Sequence, residues 1–217
     1  MPSRQAAFIR ANTAITPPPL VPEIRLHLAT EITPIWQASE DMLARGQVPP
    51  PFWAFPWAGG QALARHVLDH RDIVAGKRVL DLGAGSGLVA IAAARAGAAR
   101  VTAAEIDDFA AAAIALNAAL NGVIVDVETA DLIGASGGSW DVVVVGDMCY
   151  EQPLADRLTG WLRMLAGNGI MVLLGDPGRS YVPTSGLTAL ARYTVATSRE
   201  LEDRESREAV VWRVEAG

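Results

Sequence analysis

The sequence predicts an α/β fold on a largely parallel sheet, and three observations carry that prediction. Runs such as KRVLDLG (77–83), WDVVVVGD (140–147) and GIMVLLGD (169–176) are nearly continuously apolar, as strands buried on both faces are. From residue 57 these runs alternate with segments of helical spacing, the pattern of a parallel sheet. The first run also opens into a glycine-rich turn, DLGAGSGL (81–88), placed where open α/β sheets bind ligands.

Residues 1–50 stand apart from this pattern. They hold a helical candidate over about 4–11, a proline-rich connection and a strand-like stretch over 23–29. Consecutive prolines at 49–51 close the segment, because they withhold the backbone donors that a helix or central strand needs. Residues 51–217 form the main domain. AGGQALARHVLDH (58–70) reads as a helix, with Ala62, Leu63, His66, Val67 and His70 at helical spacing. Strand KRVLDLG leads into the Ala-rich helix SGLVAIAAARAG (86–97). RVTAAEI (100–106) is the second strand, and DFAAAAIALNAALNG (108–122) is a helix stopped at Asn121-Gly122. VIVDVET (123–129) and WDVVVVGD are further strands, followed by the helix PLADRLTGWLRMLAG (153–167) and the strand GIMVLLGD. LTALARYTVATSRELE (187–202) and REAVVWRVEA (207–216) lie too close for an intervening crossover helix, which predicts a terminal antiparallel hairpin.

Composition narrows the function classes. The 217 residues are 51% hydrophobic and 19% charged, enough for a substantial core, and Lys77 is the only lysine. A net charge of −6 with no basic run argues against a nucleic-acid partner. The single cysteine, Cys149, excludes an internal disulfide and a cysteine-built metal site. His66 and His70 are one helical turn apart but lack an evident third ligand, so no metal is expected. No apolar stretch approaches the roughly 20 residues needed to span a bilayer. Arg4 and Arg10 in an acid-free N-terminus have a transit-peptide flavour, but the segment continues as a structured extension, and a soluble cytoplasmic monomer is the expectation.

Spacing decides what the glycine loop serves. Gly83, Gly85 and Gly87 permit a tight strand-to-helix turn, and the free N–H groups of the next helix point at whatever sits there. A dinucleotide fingerprint needs glycine at 88, where Leu88 stands, and a P-loop needs a lysine after the glycines, whereas Lys77 precedes the strand. What remains is D-L-G-x-G-x-G with Glu105 ending the second strand, a carboxylate able to accept both hydroxyls of a ribose.

The chain at this point resembles the class I, seven-β-strand methyltransferases, in which such a loop and acid hold S-adenosylmethionine. The resemblance covers residues 57–215. It implies a Rossmann-like sheet of order 3-2-1-4-5-7-6 with strand 7 antiparallel and helices on both faces. It also implies a cofactor-binding set of Trp57, Gly59, Asp81, Gly83, Ala84, Gly85, Gly87, Glu105, Ile106, Asp131, Leu132 and Gly146, with Asp131 near the adenine. After the fourth strand, base-modifying members carry [DN]-P-P-[FYW]. Asp147-Met148-Cys149-Tyr150 lacks both prolines and resembles the D-x-x-Y of the protein-lysine branch. FWAFPWAGGQALARHVLD (52–69), GKRVLDLGAGSGLVAIAAARAGAARVTAAEID (76–107), WDVVVVGDMCYE (140–151) and LLGDPGRSY (173–181) are similar to the electron transfer flavoprotein β-subunit lysine methyltransferases.

That resemblance implies methyl transfer to lysines of the flavoprotein β-subunit, with S-adenosylhomocysteine as the second product. Asp147 is then the catalytic carboxylate that docks the ammonium and accepts a proton, and Tyr150 the aromatic partner of the cation. Phe52, Trp53 and Arg179 fall on the substrate side, while Cys149 is expected to serve packing. Two other readings of Asp147 and Tyr150 stay open: Asp147 as the cap of the following helix, and Tyr150 as ordinary packing. A nicotinamide-like small-molecule amine, a ribosomal-protein lysine and a non-catalytic adenosylmethionine-binding module remain as alternatives.

Overall fold

The computed structural model describes residues 3–29, 34–35, 50–136 and 139–217. The prolines at 50 and 51 fall inside this set and Pro49 outside it. Helix α1 (Arg4–Asn12) opens the chain behind Ser3, whose hydroxyl accepts the Ala6 N–H, and leads into an antiparallel pair, β1 (Ala14–Thr16) and β2 (Leu26–Leu28). The predicted N-terminal strand is therefore shorter than expected, and β1 is an addition hidden between polar neighbours.

The main sheet has seven strands: β3 (Arg78–Leu82), β4 (Arg100–Ala104), β5 (Asp126–Glu128), β6 (Val142–Gly146), β7 (Met171–Asp176), β8 (Leu187–Ala196) and β9 (Ser206–Val214). Their spatial order is β5-β4-β3-β6-β7-β9-β8, with the first five parallel and β9 antiparallel to both its neighbours. This is the expected 3-2-1-4-5-7-6 arrangement. β6 is buried along its four valines, as its unbroken apolar run requires. β5 corrects the prediction: it has three residues, all exposed, at the sheet edge. In VIVDVET the apolar alternation marks an edge strand, which a short length protects from unwanted pairing. TSRELE is corrected as well. It does not continue β8 but forms a one-turn helix, α6 (Arg199–Glu202), capped by Ser198.

Helices α2 (Ala58–Asp69), α3 (Leu88–Arg95), α4 (Asp108–Leu120) and α5 (Gln152–Gly167) connect the strands. α2 and α3 share the larger core with Val79, Val101, Val142, Val144 and Leu173, while α5 packs Leu158, Trp161, Leu162 and Leu165 with Leu80, Val143, Val145 and Val172. The N-terminal segment is fastened to α4. Phe8 meets Phe109 edge-on at 5.3 Å, and the fully buried Asn117 accepts the His27 N–H at 2.8 Å while donating to the Ser86 carbonyl at 2.8 Å. One amide thus couples β2 to the glycine loop. Among the described residues, no helix is long and apolar enough to cross a membrane.

Asp81 shows how a strand end is tied to a helix start. Its buried carboxylate accepts the Ala90 N–H at 2.8 Å, satisfying a donor in the first turn of α3 that has no partner within the helix. Burial pushes its pKa up to about 7, with the Ala90 N–H pulling the other way. The folded state therefore binds a proton between about pH 4 and 7 that the unfolded state has released. This group's contribution is fully present below the unfolded value and is lost as pH rises through the folded one. Asp81→Asn keeps an acceptor for Ala90, so melting curves from pH 4 to 8 should show a variant whose midpoint gains on the wild type as pH rises. A constant difference across that range would count against it.

Candidate active site

Three glycines and one acid build the loop after β3. Gly83, Gly85 and Gly87 all have positive φ, and Glu105 accepts the Gly85 N–H at 2.9 Å and the Asp107 N–H at 3.3 Å. Among the described residues, a Cβ added at Gly85 would find only the Trp53 Cα, at 3.9 Å, so these residues leave the loop's face open there. An open backbone cradle, a helix N-terminus and a carboxylate at the rim form a donor and acceptor set that fits a nucleoside with a charged side arm. Ala84 sits in the loop, and Ile106 follows Glu105 with 72% of its surface exposed. Asp131 lies on the exposed loop after β5, where it accepts the Ile133 N–H at 3.0 Å and pairs with Arg157 at 2.9 Å. That arginine, with the Ile133 N–H, holds its carboxyl below the usual range. Leu132 beside it packs on the second core.

At the end of β6, Asp147 is 8% exposed and sits at φ 59°, a left-handed conformation that aspartate tolerates better than most residues. Its Oδ2 accepts the Gly60 N–H at 2.6 Å and its Oδ1 meets Arg179 Nη2 at 2.9 Å. The helix-cap reading is thus right in kind and wrong in object. Asp147 caps the start of α2, while α5 begins at Gln152 behind Glu151, which makes no side-chain cap bond. Burial, the largest influence, pushes the Asp147 pKa up to about 6, with Asp176 adding to the rise and Arg179 opposing it.

Aromatic rings form the neighbouring wall. Phe52 lies 6.1 Å from both Trp57 and Tyr150, and the Arg179 guanidinium sits 5.3 Å above the Trp57 ring. Phe52 and Tyr150 are 44% and 49% exposed, so this wall is a mouth open to solvent. Burial also raises the Tyr150 phenol, which stays protonated. Trp53 departs from its expected place. Its side chain is 2% exposed and packs with Ile9, Phe55 and Phe109, so only its backbone faces the glycine loop. Cys149 is buried in the second core, and burial pushes its thiol up to about 12, consistent with an inert packing residue.

Gly59 and Gly146 turn out to serve helix docking. A Cβ on Gly59 would stand 2.3 Å from the Gly175 carbonyl oxygen, one on Gly175 would stand 2.4 Å from the Gly59 oxygen, and one on Gly146 would meet the Gly60 Cα at 3.1 Å. α2 can approach the strand ends closely enough for the Gly60–Asp147 bond only because these side chains are missing.

Sequence reasoning missed three participants. Asp176, 1% exposed, turns the loop after β7 by accepting the Gly178 and Arg179 N–H groups at 2.7 Å each, while its Oδ2 has no hydrogen-bond partner among the described residues. Glu202 in α6 is 4% exposed and lies 3.4 Å from Arg179 Nη2 and 3.2 Å from Arg207 Nε. In the sequence Asp176 stands out only as part of LLGDPGRSY (173–181). Glu202 and Arg207 look like solvated charges in a polar run, and nothing local marks them as buried.

A doubly wound sheet in this order, with an open glycine loop beside an acid at the second strand's end, defines the class I S-adenosylmethionine-dependent methyltransferase fold. Residues 62–149 match the ribosomal protein L11 methyltransferase (PrmA) family. The electron transfer flavoprotein β-subunit lysine methyltransferase of Xenopus laevis is 42% identical over 215 residues, covering 96% of this chain and 86% of that protein. The chain belongs to the electron transfer flavoprotein β-subunit lysine methyltransferase family. Among solved structures, the ribosomal protein L11 methylase of Lactobacillus delbrueckii subsp. bulgaricus shares the fold with a TM-score of 0.53 at 22% identity, covering 79% of this chain and 85% of that one. Magnesium protoporphyrin IX methyltransferase from Synechocystis PCC 6803, solved with bound SAM, shares it with a TM-score of 0.54 at 17% identity, covering 72% and 78%.

Proposed function

We propose that this chain transfers methyl groups from S-adenosylmethionine to lysine side chains of the electron transfer flavoprotein β-subunit, acting as a cytoplasmic monomer. The observation that carries this reading is a buried carboxylate, Asp147, set beside an aromatic mouth of Trp57, Phe52 and Tyr150. An anion and aromatic faces together recognise a cation on a long apolar stem. When bound, S-adenosylmethionine would supply an electrophilic methyl group on a positively charged sulfur, held by Gly83, Gly85, Gly87 and Glu105.

The chain's own residues must align the amine and take its proton. A lysine of pKa near 10.4 is neutral in only about one molecule in 2,500 at pH 7, which costs about 4.6 kcal/mol. Entering an apolar mouth lowers that pKa, and a buried carboxylate with a raised pKa is a better proton acceptor than an exposed one. Asp147 therefore holds the ammonium on arrival and receives its proton, while the rings fix the stem. Alignment can contribute up to about 7–11 kcal/mol.

The test incubates the purified chain with S-adenosylmethionine and the flavoprotein, followed by intact-mass measurement and peptide mapping. Added methyl groups on β-subunit lysines are expected. Their absence would overturn the proposal, and parallel reactions with ribosomal protein L11 and nicotinamide then separate the two alternatives. The match over residues 62–149 to the L11 family is what favours the first of these.

The cofactor part has its own check. Glu105→Ala removes the acceptor at the rim and the anchor of the Gly85 N–H, so calorimetry with S-adenosylhomocysteine should show binding weakened at least about tenfold. Unchanged affinity would remove Glu105 from the binding set.

A further inference from the structure

The place described for an incoming ammonium, against a carboxylate and over an aromatic ring, is already taken. Arg179 lies on Asp147 Oδ1 at 2.9 Å and over Trp57 at 5.3 Å. The same Nη2 also lies 3.4 Å from Glu202 Oε1. One nitrogen therefore stands between two buried carboxylates, close-paired with the first and loosely paired with the second.

We propose that Arg179 is a resident cation that keeps the substrate ammonium's seat on Asp147, and that Glu202 is the positioning residue that receives Arg179 when substrate arrives. This rests on the lysine-methylation reading above.

Charge balance supports the exchange. Among the described residues, the charged groups joined here are Asp147 after β6, Asp176 at the end of β7, Arg179 after it, Glu202 in α6 and Arg207 in β9. Three of these carboxylates face two guanidiniums, so with every group ionised the described cluster is one positive charge short of balance. Buried charge without a counter-ion is costly, and one incoming ammonium supplies the missing unit. Cys149, also in range, stays a neutral thiol and changes nothing in that balance.

The geometry keeps the rest still while the partners change. Asp147 Oδ2 remains on the Gly60 N–H, so only Oδ1 exchanges its guanidinium for the ammonium. Glu202 has Arg207 on its other oxygen and its own helix cap from Ser198, so it can accept Arg179 without moving. Arg179 is the largest opposing influence on the burial-driven rise of the Asp147 pKa. Its departure makes Asp147 a stronger base as the ammonium arrives. One N–H bond then breaks and one O–H bond forms on Asp147, leaving a neutral amine whose lone pair is free to attack.

A resident competitor taxes every cation that binds, and removing it lifts the tax. n-Butylammonium, a lysine head without its backbone, is the probe, titrated into the chain saturated with S-adenosylhomocysteine at pH 8. Arg179→Met is expected to bind it about tenfold more tightly than wild type, and Glu202→Gln more weakly. Should Arg179→Met fail to fold, Glu202→Gln and Glu202→Asp decide: KM for the flavoprotein rises in the first with kcat little changed, and the second restores it. Unchanged butylammonium binding in folded variants, or a fall in kcat and melting temperature with no movement of KM, would overturn the proposal and leave Glu202 a structural brace. Because the probe measurement needs no protein substrate, a failure to methylate the flavoprotein sinks the proposed function and not this exchange.

Discussion

Asp147→Asn should lower the rate of flavoprotein methylation by about 100-fold or more while leaving a folded protein that still binds S-adenosylhomocysteine. General acid–base groups contribute typically 10²–10⁴-fold, and asparagine cannot take the proton that the amine must lose. The substitution is mild elsewhere. Asparagine tolerates the left-handed φ of 59° and keeps an oxygen for the Gly60 N–H, while Arg179 retains Glu202 as a partner. The melting midpoint and the calorimetric affinity report on fold and cofactor, and initial rates report on chemistry. Wild-type turnover in this variant would remove Asp147 from the reaction. The wild-type rate should itself fall as pH drops through about 6, where the Asp147 carboxylate takes up a proton.

The second large effect lies away from the chemistry. Gly175→Ala should lower stability by about 3 kcal/mol, the upper range for forcing a methyl into a packed site. For a chain of this size that is a fall of roughly 6–12 °C in the melting midpoint. The new Cβ would stand 2.4 Å from the Gly59 carbonyl oxygen and 2.9 Å from the Leu63 Cβ, so α2 has to retreat. That retreat also breaks the Gly60–Asp147 bond and shifts Trp57, so activity falls with stability. The backbone at 175 is not left-handed, which makes the clash alone responsible. A variant that melts with the wild type would mean that α2 relaxes at no cost.

How far the sequence foretold this differs from element to element. The sheet is legible because β3, β6 and β7 are apolar on both faces, and the short gap before β9 predicts an antiparallel hairpin that the family resemblance also implies. β5 was over-read, since alternation in VIVDVET marks an edge. The glycine loop and Glu105 were legible from spacing. Asp147 was legible as special by its place after a buried strand, yet its partners were not. Gly60 lies 87 residues away and Arg179 lies 32, and no local pattern encodes either contact. Trp53 was assigned to the mouth beside Phe52, but helical geometry sends neighbouring side chains in different directions, and one of the two went into the core. Glu202 is the least visible, because its burial depends on Arg179, 23 residues away, and on Arg207, which the surrounding SRELEDRESR makes look like ordinary surface.

The position of β9 bears on how the enzyme is made. β9 is synthesised after β8 yet lies between β7 and β8, and Glu202 sits in the turn joining them. Until residues 206–214 have emerged, a nascent chain presents β7, an apolar strand buried in the finished fold, as a bare edge. Such an edge invites pairing with other chains. Arg207 completes the acid–arginine cluster only at that same moment, so maturation of the catalytic centre and protection from aggregation are one event in biosynthesis. Chains halted before β9 should be both inactive and sticky, and ribosome-bound fragments of graded length would show the two properties change together.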